Sequence, residues 1–575
     1  MNNFFSNIVK NLKIPEYENL DPNFENVKDP IFRAILKYKN HPSITAIKEK
    51  AKNTMFSFHE VDKDKIKKEI NRLNKNKASQ KSDIPTKIIH DNVDLFADFI
   101  VGSLKGTIKT SIFSSCLKLA DITPLHKKGR KDTKENYRPV SILPTLSKIF
   151  EKILFEQMSV FFENFLSSQQ CGFRKGYSTQ HCLLNLLEKW KNCVDKGKVF
   201  GALLTDLSKA FDCLDHELLI AKLNAYGFNL SALRLIHDYL SNRKQRTKID
   251  DNYSSWSEIL FGVPQGSILG PLLFNIFLAD LFFIIKDTDI ASYADDTTPF
   301  IVENNIEDVI ISLEQASVDL FNWFKNNRLK SNADKCHVLI STNKPVSVNI
   351  GNYTIEKSAC EKLLGVKIDV NLNFNDHISD LCKKASRKIH ALARVNPFMT
   401  LEKRKLIMNA FFTSQFSYCP LIWMCHSRNN NRKINMLHER CLRIIYNDRQ
   451  SSFDELLNKD SSVSIHIRNI QRLAIEMFKF YNGLSPPLMN NIFKLKEEKP
   501  YNLRHVSEFS RPLINSVYHG TESISFLGPK IWDILPEKLK NIETLDAFKK
   551  EVKTWKSDNC PCRICKVFIE GVGFL

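Results

Sequence analysis

Apolar and polar positions alternate with two different periods along this chain. Ile66, Ile70 and Leu73 repeat at helical spacing and predict a basic amphipathic helix over 61–77. The same period predicts further helices over 96–110, 146–162, 215–227 and 313–326. Short apolar runs rich in strand-forming residues predict strands over 199–205, 338–341 and 347–350, and a strand–turn–strand unit over 290–302. After about residue 372 the pattern predicts mostly helices, many of them basic.

Three segments need separate treatment. Residues 127–134 are crowded with basic side chains around Gly129 and predict a loop, which is either solvated or faces phosphate. Residues 137–144 carry two prolines and predict an extended segment. The apolar stretch 268–285 is interrupted by Pro271, Asn275 and Asp280, and a charge at mid-membrane is costly. We therefore expect a buried helix here rather than a membrane span.

Composition narrows the class of protein. The chain has 575 residues, of which 43% are hydrophobic and 26% charged, so three or four structural units with proper cores are expected. Global disorder, collagen-like repeats and a disulfide framework are excluded. Strands and helices alternate without a regular βαβ rhythm, which predicts an α+β fold. No Walker A loop and no dinucleotide-type glycine fingerprint lies at a strand–helix junction.

Charge and cysteine usage indicate partners and compartment. Lys and Arg total 83 against 64 Asp and Glu, a formal charge of +19 that attracts polyanions. Nucleic acid is the first candidate and an anionic membrane surface the second, while a merely soluble basic protein is the third. The 14 cysteines are mostly scattered, which is typical of free thiols in a reducing compartment, and the N-terminus has no secretory signal. We expect an intracellular protein, in the nucleus or the cytoplasm.

Three carboxylates form the first candidate for chemistry. Asp206 follows an apolar strand, and Asp295 and Asp296 lie in the tight turn between two later strands. A strand end and a hairpin tip can meet at one edge of a sheet, where three carboxylates would repel unless cations intervene. Such oxygen ligands suit Mg²⁺ or Mn²⁺, and a pair of these ions is the standard device for in-line phosphoryl displacement. Taken alone, however, each Asp is more typical of a turn or a helix cap than of a metal site.

Seven short motifs surround these carboxylates in a fixed order. They are YRPVS at 137–141, QCGFR at 170–174, LLTDLSKAFD at 203–212, GVPQGSILGP at 262–271, YADD at 293–296, LKSNADK at 329–335 and LLGV at 363–366. In this order they resemble the motifs of reverse transcriptases, and most closely those of non-LTR retrotransposon enzymes of the LINE-like, jockey type. The resemblance is specific over about 60–372 and looser over 373–575, where it includes FLGPKIW at 526–532 and the last cysteines.

The resemblance implies a right-hand polymerase. Fingers and palm, with an antiparallel sheet plus helices, would occupy 60–372, and a helical thumb 373–480. An N-terminal extension over 1–59 would precede them. A mostly helical, basic C-terminal region over 481–575 would end in the cysteine cluster.

The resemblance also implies roles for single residues. Asp206 and Asp295 would bind two metal ions with help from Asp296. Lys335 would donate a proton to pyrophosphate, although a plain surface lysine is the alternative. Leu364 and Gly365 would belong to the turn that holds the primer end.

The nucleotide site is implied in the same way. Arg138, with Lys127 or Lys128, would hold the triphosphate. The ring of Phe211 would exclude a 2′-hydroxyl, unless it is only a core residue beside a strand. Gln265 and Gly266 would lie under the incoming nucleotide, where only glycine lets the backbone approach closely.

The spacing C-x-C-x₂-C at Cys560, Cys562 and Cys565 is a second candidate metal site. Thiolates so spaced bind Zn²⁺, which takes four ligands. No His or Cys follows in the last ten residues, so a fourth ligand would have to come from elsewhere in the fold. Three unligated thiols are the alternative.

These features together predict an RNA-directed DNA polymerase that extends a DNA or RNA primer on an RNA template with dNTPs and two Mg²⁺ (or Mn²⁺). A catalytically inactive or truncated element-derived nucleic-acid-binding protein is the alternative, and a polymerase with another template preference is a third. We expect no endonuclease within 1–123 and no ribonuclease H within 480–575. The native template, the integration target and the oligomeric state are not encoded in any motif.

Overall fold

The computed structural model describes residues 1–12, 14, 16–75, 80, 83–332, 335–351, 353–496, 507–516, 518–556 and 560–565. The end of the predicted helix over 61–77 and residues 333–334 of the LKSNADK motif lie outside these ranges.

The first part of the chain is helical, with α1 (Asn2–Ser6), α2 (Ile8–Leu12), α3 (Pro30–Lys37), α4 (Pro42–Lys50), α5 (Lys63–Asn71), α6 (Thr86–Asp91) and α7 (Val93–Thr110). Strands and helices then mix in β1 (Leu119–His126), β2 (Tyr137–Ile142), α8 (Thr145–Phe162), α9 (Thr179–Asp195), β3 (Val199–Leu204), α10 (Ala210–Cys213), α11 (His216–Ala225), α12 (Leu230–Leu240), β4 (Arg243–Ile249), β5 (Asn252–Tyr253), β6 (Ser257–Ile259), α13 (Gly270–Leu278), α14 (Leu281–Ile284), β7 (Asp289–Tyr293), β8 (Asp296–Glu303) and α15 (Ile306–Asn326).

Short strands and a helical half complete the chain. The strands are β9 (His337–Ile340), β10 (Ser347–Ile350), β11 (Tyr353–Glu356), β12 (Cys360–Leu363) and β13 (Val366–Asp369). The helices are α16 (Asn375–Val395), α17 (Leu401–Phe411), α18 (Pro420–Trp423), α19 (Arg428–Tyr446), α20 (Phe453–Asp460), α21 (Ile465–Tyr481), α22 (Ile524–Asp533), α23 (Glu537–Lys540) and α24 (Leu545–Glu551).

The central sheet is antiparallel, in the order β7-β8-β3-β9. Helix α9 packs on it through Trp190, whose ring stacks on Phe200 of β3 with centroids 4.4 Å apart. Helix α15 approaches β3 closely at Gly201, where an added Cβ would lie 2.4 Å from the Val309 side chain. This sheet between helices confirms the α+β class, and we call it the palm sheet.

A second, mixed sheet lies in the order β2-β1-β4-β5, with β6 also paired to β4. Strands β1 and β2 are antiparallel, whereas β1 and β4 are parallel. The N-terminal helix α1 is attached to this sheet because Asn2 Nδ2 donates to the Ser255 carbonyl at 3.0 Å and to Ser257 Oγ at 2.8 Å. We call this the fingers sheet.

The apolar stretch 268–285 is buried, but the prediction of a single helix there was wrong. The chain forms α13 and α14 with a break at Ala279–Asp280. The buried Asp280 carboxylate accepts from Lys222 Nζ at 2.5 Å and from Trp323 Nε1 at 2.9 Å, so its charge is paired inside the core. In the described part of the chain, no helix combines the length and the apolar character that a membrane crossing needs.

The helical half, which comprises α16 to α24, packs directly against the palm sheet and α9. Buried residues of α9, β3, α16, α19, α21 and α22 share one hydrophobic core. Acidic side chains of α9 add polar contacts to the C-terminal region. The Glu188 carboxylate accepts from the backbone N–H groups of Ile524 and Ser525 at 2.8 and 2.9 Å, at the start of α22. The boundaries at 59, 372 and 480 stay predictions.

Candidate active site

The palm sheet brings the three carboxylates together. Strands β3 and β8 are antiparallel, and the pairing continues past β3 because Thr205 N–H donates to the Thr297 carbonyl at 3.3 Å. Asp206 therefore lies beside the start of β8. Tyr293 and Asp296 are paired across the β7–β8 hairpin, which leaves Ala294 and Asp295 as a two-residue turn with a positive φ of 59° at Ala294.

The three carboxylates act on one another electrostatically. Burial raises the pKa of Asp296 to about 6, and the charges of Asp295 and Asp206 act in the same direction. Burial also raises the pKa of Asp295, with a further contribution from Asp206. Three carboxylates so close are unfavourable as anions unless cations are present. The site therefore has the ligand type and the charge demand that fit Mg²⁺ or Mn²⁺.

Three cationic side chains face these carboxylates. Lys127 follows β1, and Arg138 lies on the paired strand β2. Burial lowers the pKa of Lys127, and its charged neighbours include Arg138, Asp206 and Asp295. The Nζ atom of Lys335 lies 3.3 Å from Oδ2 of Asp206.

Phe211 borders the site as part of an aromatic group. Its ring stacks on Phe274 of α13 with centroids 4.4 Å apart, and it meets the exposed ring of Phe173 edge to face at 5.7 Å. The half-buried ring is thus fixed on one face by the core.

Gln265 is oriented by a residue to which the motif pattern assigned no role. Its Nε2 donates to both carboxylate oxygens of Asp212, at 3.0 and 3.2 Å. Burial raises the pKa of Asp212 to about 6. Asp212 ends the LSKAFD motif, and that placement was the available signal.

The structure gives a reason for glycine at 266 in addition to the predicted one, which stays a prediction. Gly266 has a φ of +139°, and an added Cβ would lie 2.3 Å from the Ser141 carbonyl oxygen of β2. The neighbouring Ser141 N–H donates to the Gln265 carbonyl at 2.8 Å. One close approach that requires glycine is therefore to the fingers sheet.

The QCGFR motif supports the YADD turn from behind. Cys171 N–H donates to the Ser292 carbonyl at 2.9 Å, so this segment runs along β7. An added Cβ on Gly172 would lie 2.3 Å from the backbone nitrogen of Ala294. The side chain of Asn275 fastens the same segment by donating to the Gly172 carbonyl at 2.7 Å. Sequence reasoning found this motif but not its contact.

Leu364 and Gly365 are the two central residues of the β12–β13 hairpin, and both have positive φ values, 46° and 87°. The hydroxyl of Tyr418 donates to the Leu364 carbonyl at 2.6 Å. Its ring would lie 3.0 Å from a Cβ on Gly365. The hairpin tip is therefore held by a residue from the helical half.

The cysteine cluster belongs to a different part of the fold and gains a partner there. Cys560, Cys562 and Cys565 are joined by His466 of α21, and the four ligand atoms lie within 4.8 Å of one another. This group could hold a metal ion. Nothing in the sequence pattern marked His466, which is 96 residues from Cys562.

An antiparallel sheet with two carboxylates at a hairpin and a third at the end of the adjacent strand, next to a basic fingers sheet, is the layout of a nucleic acid polymerase palm. Residues 125–368 match the family described as "Reverse transcriptase (RNA-dependent DNA polymerase)". This part of the chain is a reverse transcriptase domain.

Similar proteins include RNA-directed DNA polymerases of mobile elements. The chain is 28% identical over 59% of its length to "Probable RNA-directed DNA polymerase from transposon BS" of Drosophila melanogaster. It is 27% identical over 67% of its length to "RNA-directed DNA polymerase from mobile element jockey" of the same species. The matched parts cover 39% and 44% of those proteins, so the chain spans about two fifths of the length of these curated relatives.

Proposed function

We propose that this protein is an RNA-directed DNA polymerase of a non-LTR retrotransposon. The observation that carries the proposal is the convergence of Asp206, Asp295 and Asp296 at one edge of the palm sheet, facing Lys127 and Arg138. One side of this site has the negative charge that divalent cations need, and the other has the positive charge that a triphosphate needs.

The proposed reaction joins a primer to a nucleotide. The 3′-hydroxyl oxygen attacks the α-phosphorus of a dNTP, the bond to the β-phosphate oxygen breaks, and pyrophosphate leaves. Asp206, Asp295 and Asp296 would hold two Mg²⁺ (or Mn²⁺). When bound, the ions would activate the hydroxyl and stabilise the leaving group.

The other side chains bind and orient the substrate. Arg138 would grip the triphosphate through its planar guanidinium, with Lys127 beside it. Lys335, whose Nζ lies 3.3 Å from Oδ2 of Asp206, would protonate pyrophosphate. The ring of Phe211, fixed against Phe274, would leave no room for a 2′-hydroxyl.

The partners proposed are an RNA template, a DNA or RNA primer and dNTPs, and the charge of +19 supports binding of their phosphates. Leu364 and Gly365, at a rigid hairpin tip, would support the primer end. The zinc ion predicted at Cys560, Cys562 and Cys565 also remains a proposal, and it has no part in this chemistry. We propose an intracellular location, in the nucleus or the cytoplasm.

Primer extension by the purified chain tests the proposal. One DNA primer is annealed to an RNA template or to a DNA template of the same sequence, and dNTPs or rNTPs are supplied with Mg²⁺ or Mn²⁺. We expect extension on RNA with dNTPs, and its loss in Asp295→Asn. Asp287→Asn is the matched control, because Asp287 is an exposed carboxylate in the loop before β7.

The other outcomes separate the alternatives. No extension by the wild type, with salt-sensitive RNA binding intact, would favour the inactive binding protein. Extension only on DNA, or only with rNTPs, would favour a different polymerase. Equal extension by wild type and Asp295→Asn would contradict the assigned metal site.

A further inference from the structure

The strongest unassigned feature outside the palm is a four-residue cluster where α21 meets the C-terminal segment. Nε2 of His466 lies 3.2 Å from Sγ of Cys562 and 3.2 Å from Sγ of Cys565. Cys560 completes the group, with all four ligand atoms within 4.8 Å of one another. Three of the four residues are at least 92% buried, and Cys565 is half-buried.

These distances are close to those of a tetrahedral site. Zinc bound at about 2.3 Å to sulfur and about 2.0 Å to nitrogen separates its ligand atoms by about 3.5 to 3.8 Å. Three cysteines and one histidine are also a standard ligand set for structural zinc. Small shifts of the four ligand atoms would therefore let the cluster hold one zinc ion.

The surroundings point to the same use. Among the described residues, the polar contacts of the His466 ring are those with the two sulfurs, and its Nδ1 has no hydrogen-bond partner. The backbone N–H of Cys565 donates to Sγ of Cys562 at 3.4 Å, a contact that favours a thiolate at that sulfur. The ring is thus placed by packing to face the cysteines.

The position of the cluster shows what an ion would join. His466 lies in the first turn of α21, and Gln471 of the same helix donates to the carbonyls of Lys553 and Trp555 at 3.1 and 2.8 Å. Between the cysteines, Arg563 pairs with Glu522 at 3.3 Å. The Glu522 carbonyl in turn accepts from Lys191 of α9. The segment therefore contacts α21 directly and is linked to the helix behind the palm sheet through Glu522.

We propose that His466, Cys560, Cys562 and Cys565 bind one zinc ion, which fastens the C-terminal segment to the first turn of α21. The three cysteines bind as thiolates and release their protons to solvent, while His466 binds through the lone pair of Nε2. Because the ion closes a loop of nearly one hundred residues, it restricts the chain far more than a local knuckle of adjacent ligands would.

Metal analysis of the full chain tests the proposal without any polymerase assay. We expect one zinc per chain, and its loss in Cys562→Ser and in His466→Gln. His466→Cys should keep the zinc, since four thiolates also form a structural site. Cys425→Ser and His426→Gln are matched controls that should keep it, because both residues line the same small cavity without belonging to the cluster.

Two measurements on the wild type keep the test valid if a variant fails to fold. Replacement of zinc by Co²⁺ should give the absorption bands of a tetrahedral thiolate site. Removal of the ion by a chelator should raise hydrogen exchange in 553–556, 560–565 and the first turn of α21, while β3 and β8 stay protected.

Several results would overturn the proposal. They are a wild type without bound metal, stoichiometric iron or copper instead of zinc, a Cys562–Cys565 disulfide, or zinc that persists in His466→Gln. Failure of primer extension would leave these readouts unchanged, so the two proposals stand or fall separately.

Discussion

At the residue scale, the side chain of Gln265 depends on a neighbour that titrates. Asp212 accepts two hydrogen bonds from its amide, and Gln265 itself lies in a loop between β6 and α13. Burial raises the pKa of Asp212 from its usual 3.8 to about 6, against the lowering effect of Gln265 and Lys209. The Asp212 carboxyl in the folded protein therefore changes from its protonated to its ionised form as the pH rises through about 6.

Asp212→Asn should therefore change how stability depends on pH. The folded protein keeps a proton on Asp212 where the unfolded chain has released it, so this group stabilises the fold fully below about pH 3.8. That contribution is lost as the pH rises through about 6. The free energy of unfolding of the wild type relative to Asp212→Asn should fall by up to about 3 kcal/mol between about pH 4 and about pH 7.

Urea unfolding of both proteins at a series of pH values measures this difference. Groups that titrate alike in both proteins cancel in the comparison. If the free energy of unfolding of the wild type relative to Asp212→Asn instead rises with pH, the hydrogen bonds from Gln265 outweigh burial in setting the pKa of Asp212.

At the element scale, the β7–β8 hairpin is held from two sides. Strand β3 pairs with β8 in front, and the QCGFR segment pairs with β7 behind. Gly172 permits the second contact because its missing side chain leaves room for the backbone of Ala294. A two-residue turn with one positive φ has little freedom of its own, so its position follows from these supports.

Gly172→Ala should displace the YADD turn and lower kcat of primer extension by at least about tenfold, with a smaller effect on KM for dNTP. The physical reason is a Cβ placed 2.3 Å from the Ala294 nitrogen, which forces the backbone to move. Steady-state kinetics with a fixed primer–template measure both constants.

Gly106→Ala is the control for this change. Gly106 lies within α7 with nothing near its Cβ position, and alanine is the better helix former. Equal kinetics for Gly172→Ala and the wild type would contradict the supporting role of the QCGFR segment.

At the scale of the whole molecule, one hydrophobic core joins the palm sheet to the helical half. At this junction the β12–β13 hairpin packs against α16. A cavity there is lined by Gly365, Lys362, Lys384 and Tyr418. Among the described residues, neither of these two lysines has an ion-pair partner, whereas Lys367 pairs with Asp380 at 2.7 Å. With a net charge of +19, such unpaired cations are suited to nucleic acid phosphates.

The double variant Lys362→Ala, Lys384→Ala should bind primer–template more weakly and with less dependence on salt. For each phosphate that the variant leaves without a lysine, the slope of log affinity against log salt should become shallower by about 0.9. Titration at several salt concentrations measures this slope. Lys549→Ala, which removes a lysine paired with Asp546 on α24, should leave it unchanged.

Much of the fold was predictable from local patterns. The predicted strands over 199–205 and 290–302 are confirmed as β3 and the β7–β8 hairpin, and the segment over 137–144 contains β2. The predicted helix ends were less accurate. The helix predicted over 61–77 ends at Asn71, and the helix predicted over 313–326 begins at Ile306. The break at Ala279–Asp280 was missed because it depends on the burial of Asp280 with Lys222, a contact between distant segments.

The sequence by itself determined the chemistry that is available, because side-chain type and period are local properties. Asp206, Asp295 and Asp296, the motif order and the basic charge were all readable in this way. Only the tertiary structure decided which groups meet across long loops. It placed Asp212 against Gln265, Gly266 against Ser141, and His466 against cysteines 96 and 99 residues away. Such contacts arise from the packing of whole elements, which no short window of residues contains.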